Sequence, residues 1–167
     1  MKKRYQAMVL SCMDPRFQPI VFNYLKKKKL TGKYSAFTIA GSAIGVTANK
    51  FKKWHKVFWD NIETSIKLHQ IKKLIVINHR DCGAAKIING NKLFDKSKET
   101  KIHKDSFKKI KLKFKKKYPK LKIELKLISL NKKIENLGFK AKISINHGIQ
   151  QLVEMYSNKN FNFSNNY

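Results

Sequence analysis

The sequence predicts a three-layer α/β fold in which a mostly parallel β-sheet is flanked by helices. Short β-prone runs alternate with amphipathic helical patterns along the 167 residues, as in other layered α/β proteins. The run at residues 73–78 (KLIVIN) is continuously apolar between its first and last residues, which is typical of a central parallel strand. Chemically reactive residues directly follow two of the runs, at the strand ends where parallel sheets form their sites.

In the amino-terminal half, strands and helices are separated by proline, glycine and small residues. Pro15 and Pro19 break the chain after the first β-prone run, and a Thr-Gly pair ends the first helical pattern. The second helix carries six apolar, aromatic or histidine positions at spacings of three and four, and we assign its aromatic side chains to the core. The expected elements are strands at residues 5–11, 34–40 and 73–78 and helices at residues 18–30 and 49–70, the last with Phe51, Trp54, Phe58, Ile62, Ile66 and His69 on one stripe.

The carboxyl-terminal half is richer in lysine and has a weaker pattern. Residues 89–101 are polar and irregular, which predicts a loop, and Pro119 ends the helical stripe that follows. Alternation of apolar and polar residues then predicts a fourth strand near a sheet edge. We expect a helix at 104–118, this strand at 121–127 and a last helix at 149–156, with residues 1–156 forming a single α/β domain and residues 157–167 a flexible tail.

Composition limits the possible functions. The net charge is +28, but only three of the 38 basic residues are arginine, whereas specific nucleic-acid recognition favours arginine; we therefore expect only non-specific, salt-sensitive polyanion binding. No apolar run approaches the roughly 18 residues of a membrane span. The opening MKKRYQAMVL begins like a signal peptide, but its apolar run is too short, so we expect a cytoplasmic protein whose two cysteines are reduced.

Two short motifs carry the candidate chemistry. In LSCMDPRF, Cys12, Asp14 and Arg16 occupy alternate positions, and they would point to one side if the strand conformation continued. In NHRDCG, two residues separate His79 from Cys82, a spacing that lets both side chains reach one metal ion. Two thiolates and an imidazole suit zinc, and three ligands leave the open position of a catalytic site. On cysteine count alone, the alternative is two ordinary buried cysteines.

Together, CMDPR at residues 12–16 and HRDCG at residues 79–83 resemble the active-site signature of the β-class carbonic anhydrases. The lead-in IETSIKLHQIKKLIVIN and the small-residue turn at residues 40–43 are also similar to segments of that family. The resemblance covers residues 5–90, about half of the chain. It implies a β-carbonic-anhydrase-like fold and a Zn²⁺ ion held by Cys12, His79 and Cys82.

The resemblance further implies how the site is gated. Asp14 and Arg16 would form a dyad beside the metal. In an open form Arg16 holds Asp14 away and water occupies the fourth zinc position, whereas in a closed form Asp14 itself binds zinc. The implied reaction is the reversible hydration of CO₂ to bicarbonate and a proton, in which zinc-bound hydroxide attacks the carbon. A homo-oligomer, dimeric or higher, is expected from the same likeness.

Five other residues have candidate roles in or near the site. The resemblance suggests that Gly41 and Ser42 line the substrate pocket. Asp81 either supports the metal ligands through its side chain or forms a local turn. Arg80 occupies a position where a small polar residue is commoner in the family, and it could narrow the entrance or contact an anion. His103 falls in the predicted loop, where we expect it to be solvated, with a proton relay as the alternative.

Two alternative functions remain open at this stage. The same site could hydrolyse a sulfur analogue of CO₂, such as CS₂ or COS, because those substrates need the same nucleophile. The chain could instead be a catalytically silent basic protein whose lysine-rich surface binds nucleic acid or another anionic partner. The silent binding protein would bind DNA or RNA tightly, and this binding would survive Cys12→Ser. The enzyme would lose its activity in that variant and bind polyanions only weakly at physiological salt.

Overall fold

The computed structural model describes residues 5–90, 92–131 and 134–135. Within these residues strands and helices alternate, and a short 3₁₀ helix at Asn49–Phe51 precedes the second α-helix. The strands are β1 (Ala7–Ser11), β2 (Tyr34–Thr38), β3 (Lys73–His79), β4 (Lys122–Ile128) and β5 (Ile134–Glu135); the helices are α1 (Gln18–Lys27), α2 (Lys52–His69), α3 (Gly83–Asn89) and α4 (Lys96–Lys117).

The strands form one sheet in the order β2-β1-β3-β4-β5. The first four are parallel, and β5 pairs antiparallel with β4 at the edge. From β1 the chain moves outward to β2 and then crosses back to β3 on the other side of β1. The strand order therefore switches between β1 and β3, and ligand sites of open α/β sheets form outside the carboxyl ends of the strands at such a point.

Helices cover both faces of the sheet. Alternation along β1 sends Ala7 and Val9 to one apolar cluster and Met8 and Leu10 to the other. The first cluster includes the buried side of α1 and the alanines of α3, and the second includes the buried sides of α2 and α4. Burying each large apolar side chain contributes about 1.5–3 kcal/mol, so the two clusters hold the layers together. The predicted three-layer α/β fold is confirmed.

One predicted loop was wrong over its second half. Helix α4 begins at Lys96, inside the segment expected to be irregular. The Asp95 carboxylate caps it by accepting a hydrogen bond from the Lys98 amide at 2.8 Å, and Glu99 lies in the first turn, where a negative charge is favourable. The capping residues, rather than an apolar stripe, mark this start. Helix α3 was also not predicted.

Two side chains are placed differently from the predictions. His103 was expected to be a solvated loop residue, but it lies within α4 and is completely buried. Trp54 was assigned to the core with its helical stripe, yet it is 37% exposed and stacks on Phe51, while Phe58 and Ile62 are buried as predicted.

The last predicted helix at 149–156 and the tail at 157–167 lie outside the described residues. Among the described helices, none is long and apolar enough to cross a membrane.

Candidate metal centre

The first motif turns sharply after its strand. β1 ends at Ser11, and the chain then forms a turn in which the Phe17 amide donates to the Asp14 carbonyl at 3.0 Å. The Arg16 amide donates to Asp14 Oδ1 at 3.0 Å, and Pro15 has the fixed φ that the second position of such a turn favours. Asp14 and Arg16 therefore meet through a tight turn and not through the strand alternation that we expected.

The second motif places its ligand candidates on either side of a reversal. His79 is the last residue of β3, and Cys82 occupies the N-cap position at the start of α3. Between them Asp81 adopts a left-handed conformation with φ of 56°, which aspartate tolerates better than most residues. This reversal brings His79 and Cys82 together with Cys12. One ligand atom from each of the three lies within 4.8 Å of the others, and all three residues are buried.

The histidine has the protonation pattern of a metal ligand. Its Nδ1 donates to the Arg80 carbonyl at 2.7 Å, since a carbonyl oxygen can only accept. In the neutral imidazole Nε2 then carries a free lone pair, and this buried atom has no hydrogen-bond partner within the described residues. The Phe17 ring packs 4.7 Å from the imidazole and restricts its orientation. A metal ligand that donates its other ring N–H to a carbonyl is the usual arrangement, so the residues fit zinc.

The two cysteine thiols differ in their electrostatic environment. The pKa of Cys12 is lowered to about 4, mainly by a hydrogen bond with Cys82. The Gly41 amide also donates a hydrogen bond to the Cys12 Sγ at 3.2 Å. The same hydrogen bond with Cys12, together with burial, raises the pKa of Cys82. The pair thus favours the thiolate form at Cys12 over Cys82, and a bound cation would favour the thiolate form of both.

The turn at Gly41 and Ser42 packs tightly beside Cys12. Gly41 has φ of 74°, and a Cβ built on it would lie 2.5 Å from the Ala84 Cβ, so both its conformation and its surroundings require glycine. Ser42 is fully buried, and its hydroxyl donates to the Leu10 carbonyl at 3.2 Å. These contacts fix the turn that supplies a hydrogen bond to the Cys12 sulfur. A role in the substrate pocket stays a prediction.

Arg16 holds the Asp14 carboxylate with two side-chain hydrogen bonds. Nε donates to Oδ1 at 3.0 Å and Nη2 donates to Oδ2 at 2.7 Å, the bidentate geometry that arginine provides. These bonds are the main cause that lowers the pKa of Asp14 to about 2. Asp14 Oδ2 lies 3.9 Å from His79 Nε2. An ionised carboxylate therefore stands beside the cluster, paired with a cation.

Asp81 has the features of both predicted roles, a turn former and a support for the ligands. It forms the left-handed reversal between the ligand candidates, and its carboxylate accepts hydrogen bonds from Arg16 Nη1 at 2.9 Å and from Lys86 Nζ at 2.6 Å. Lys86 is the main cause of its lowered pKa, with Arg16 second. Arg16 is consequently shared between two carboxylates, Asp14 and Asp81.

A buried polar group that contacts Cys82 was not predicted from the sequence. The Glu99 carboxylate accepts a hydrogen bond from the Cys82 amide at 3.3 Å and pairs with Arg80, whose Nη1 lies 3.4 Å from Oε2. Burial opposes ionisation of Glu99, but its interactions with His103 and the Cys82 amide hold its pKa below the usual value. Arg80 also donates to the Thr100 hydroxyl at 2.8 Å, so its guanidinium contacts α4. The sequence signal for this group is the spacing of four residues between Glu99 and His103, which places the two side chains next to each other on a helix.

Comparisons with known proteins agree with this geometry. The model of the family described as "Putative carbonic anhydrase" matches residues 1–124. The chain belongs to this carbonic anhydrase family. An uncharacterised protein of Rickettsia bellii is 31% identical over 132 residues, which cover 78% of this chain and 80% of that protein. An uncharacterised protein of Rickettsia conorii is 30% identical, with 78% of this chain and 71% of the relative covered.

Solved structures share the fold at low sequence identity. The β-carbonic anhydrase CafA of Aspergillus fumigatus matches with a TM-score of 0.54 and 13% identity, covering 91% of this chain and 83% of that one. A tetrameric β-carbonic anhydrase of Sordaria macrospora matches with a TM-score of 0.56 and 11% identity, covering 83% and 84%. The fold of this carbonic anhydrase family member is therefore the β-carbonic anhydrase fold, and the family likeness predicted from the sequence is confirmed.

Proposed function

We propose that the chain is a zinc-dependent carbonic anhydrase that reversibly hydrates CO₂ to bicarbonate and a proton. The convergence of Cys12, His79 and Cys82 carries this proposal, because their buried ligand atoms lie within 4.8 Å of one another at the switch point of a β-carbonic anhydrase fold. Membership of the carbonic anhydrase family supports the choice of reaction.

The three residues would hold the metal as two thiolates and one neutral imidazole. A zinc ion bound there would supply Lewis acidity that makes water a nucleophile near neutral pH, as in carbonic anhydrases generally. The chain's own contribution is to arrange the ligands. The Arg80 carbonyl orients the His79 ring by accepting its Nδ1–H, and the Gly41 amide stabilises the Cys12 thiolate. Burial of all three ligands excludes bulk water from the sulfur and nitrogen atoms.

The Asp14–Arg16 pair would serve as the gate. The bidentate contact supports the open arrangement, since it keeps the carboxylate ionised and engaged with the guanidinium. Asp14 Oδ2 is nevertheless only 3.9 Å from His79 Nε2, so in a closed form this carboxylate would be the residue close enough to join the three ligands. Its ionised oxygens can accept a proton or orient a donor at the site mouth, where 54% of the Arg16 side chain is exposed.

The cellular setting and assembly complete the proposal. Both cysteines are free thiols, which favours a reducing compartment, and we assign the chain to the cytoplasm. One of the solved relatives is described as tetrameric, which supports a homo-oligomer of two or more copies. The net charge of +28 should attract nucleic acid only non-specifically and at low salt.

The first experiment is elemental mass spectrometry of the untagged chain purified without chelator, followed by stopped-flow CO₂ hydration. We expect about one zinc per chain and a hydration rate that disappears with the metal and returns when zinc is added. Zinc-free protein with full activity, or zinc-loaded protein without any, would refute the proposal. Running CS₂ and COS in parallel tests the related substrates, and faster turnover of either would reassign the substrate while retaining the site.

A further inference from the structure

A continuous row of buried polar groups joins the two segments that carry the cysteines. It begins at the Ala43 amide, which donates to Asn78 Oδ1 at 3.1 Å. Asn78 Nδ2 in turn lies 2.9 Å from His103 Nδ1, and His103 Nε2 lies 3.7 Å from Glu99 Oε1. Glu99 Oε1 accepts the Cys82 amide at 3.3 Å. The row therefore runs from the turn beside Cys12 to the backbone of Cys82.

The hydrogen bonds of this row can run in only one direction, from the Ala43 amide through Asn78 to His103. The Ala43 N–H must donate, so the accepting atom of Asn78 is its amide oxygen and its amide nitrogen must donate onward. His103 Nδ1 is then the acceptor, and in the neutral ring Nε2 carries the hydrogen. That buried Nε2 has no hydrogen-bond partner within the described residues, and it faces the Glu99 carboxylate.

Glu99 is unusual because its carboxylate lies inside the protein. The residue is 6% exposed, and charged groups are rarely buried so deeply unless they are paired. Arg80 supplies the pairing charge, with 11% of its side chain exposed, and its backbone carbonyl is the group that orients His79. Glu99 thereby contacts the segment between the two ligands of the second motif at both Arg80 and Cys82.

We propose that Glu99 is a positioning residue for the metal centre, which holds the Cys82 amide and Arg80 so that His79 and Cys82 keep the spacing required to bind a metal. The inference rests on the proposed zinc site but concerns a residue of α4 that neither motif contains. Loss of the Glu99 contacts should therefore weaken metal binding without removing any ligand. Partners of metal ligands typically change affinity by about 10–100-fold when they are mutated.

The test compares zinc affinity in the wild-type chain, Glu99→Gln and Glu99→Asp, measured by competition with a chromophoric chelator. Glutamine keeps the shape but removes the charge that pairs with Arg80, and aspartate keeps the charge but withdraws it by one methylene from the Cys82 amide. We expect both variants to raise the zinc Kd by about 10–100-fold. Cobalt(II) substitution gives a second readout, because the intensity and energy of the thiolate-to-cobalt bands report ligand geometry directly.

A matched control separates positioning from general destabilisation. Ile110 lies on the same helix as Glu99, is fully buried and belongs to the apolar cluster formed by α2, α4 and the sheet. Ile110→Val should lower thermal stability while leaving the zinc Kd within about threefold of wild type and the cobalt spectrum unchanged.

The outcomes distinguish this inference from the proposed function. Wild-type zinc affinity and an unchanged cobalt spectrum in both Glu99 variants would overturn the inference and leave the zinc site intact. Weakened zinc binding in the variants of a chain that does not hydrate CO₂ would support the inference and refute the proposed reaction. If neither Glu99 variant folds by circular dichroism, or if Ile110→Val weakens zinc equally, Glu99 supports the fold rather than the metal centre and the inference is wrong.

Discussion

The two ends of the parallel sheet differ in what they do with charge and polarity. At the carboxyl end, three potential ligands are buried and converge within 4.8 Å, and each charged side chain near them has an opposite partner. At the amino end, an open groove of about 680 Å³ is lined by four lysines (Lys72, Lys73, Lys120 and Lys122) together with Tyr5 and Gln70. Three of these lysines are exposed, and Lys73 is paired with Glu124.

The chemistry available at the carboxyl end depends on the convergence of its side chains rather than on the amount of charge. Three of the four lysines at the amino end are solvated and separately placed, so each contributes little to stability or binding. The charged groups of the carboxyl end are of both signs, and burial and fixed hydrogen bonds shift the pKa values of Cys12 and Asp14 strongly. The following substitutions test this contrast, beginning with the largest expected effect.

Cys12→Ser should abolish the carboxyl-end site. It replaces a thiolate ligand with a hydroxyl group that zinc binds poorly, and we expect zinc affinity to fall by more than about 100-fold, with CO₂ hydration falling in parallel. Elemental analysis and stopped-flow kinetics measure the two losses. A variant that retains stoichiometric zinc would contradict the assignment of Cys12 as a ligand.

Arg16→Ala should impair the gate without removing a ligand. The Asp14 carboxylate loses the cation that holds it, so its pKa should rise from about 2 toward its ordinary value and its position should no longer be fixed. We expect kcat/KM for CO₂ to fall about 10–100-fold while zinc stays bound. Lys86→Met is the matched control, since it removes a cation from Asp81 but none from Asp14, and it should change kcat/KM less than about threefold.

Glu124→Gln tests two ion pairs that lie away from the candidate site and link β4 to β3 and to the residue after α1. Glu124 on β4 contacts Lys73 of β3 at 2.8 Å and Lys28, just after α1, at 3.1 Å. Burial opposes ionisation of Glu124, but these lysines lower its pKa below 4.5 in the folded chain. The stabilisation is therefore present above the unfolded pKa and is lost as the pH falls through the lower folded pKa.

We expect Glu124→Gln to lower the free energy of unfolding by about 1 kcal/mol at pH 7 and the difference to shrink below pH 4.5. Urea denaturation at several pH values measures it. Glu63 pairs with Lys67 and Lys117 at the surface, and Glu63→Gln should leave the free energy of unfolding close to that of the wild type. A loss that is independent of pH would mean that packing, not charge, is what Glu124 contributes.

The double substitution Lys72→Ser and Lys120→Ser should have the smallest effect. Both side chains are exposed at the amino-end groove, so unfolding free energy and CO₂ hydration should stay close to wild type. Only binding to heparin or DNA at low salt should weaken, with a shallower salt dependence. A marked loss of CO₂ hydration would show that the two ends of the sheet are coupled.

The predictions from sequence succeeded where the chain has strong local patterns. The apolar run of β3 and the helical stripe of α2 predicted their elements to within three residues at either end. Both motifs were placed after the correct strands. The start of α4 was missed because its first turns are lysine-rich and polar, and its beginning depends on the Asp95 cap. His103 was misplaced for the same reason, since a histidine among lysines is buried only by the packing of the helix.

Residue types and local periodicity were enough to predict the two reactive motifs, the alternation of strands with most of the helices, and the donor chemistry of the candidate site. The folded structure was needed to show that Cys12 meets His79 and Cys82, that Arg16 is shared by Asp14 and Asp81, and that Glu99 and His103 pack next to the second motif. Those contacts join residues far apart in the chain, and they arise from the crossover that places β3 beside β1 and from the packing of α4 on the sheet. No local pattern specifies either.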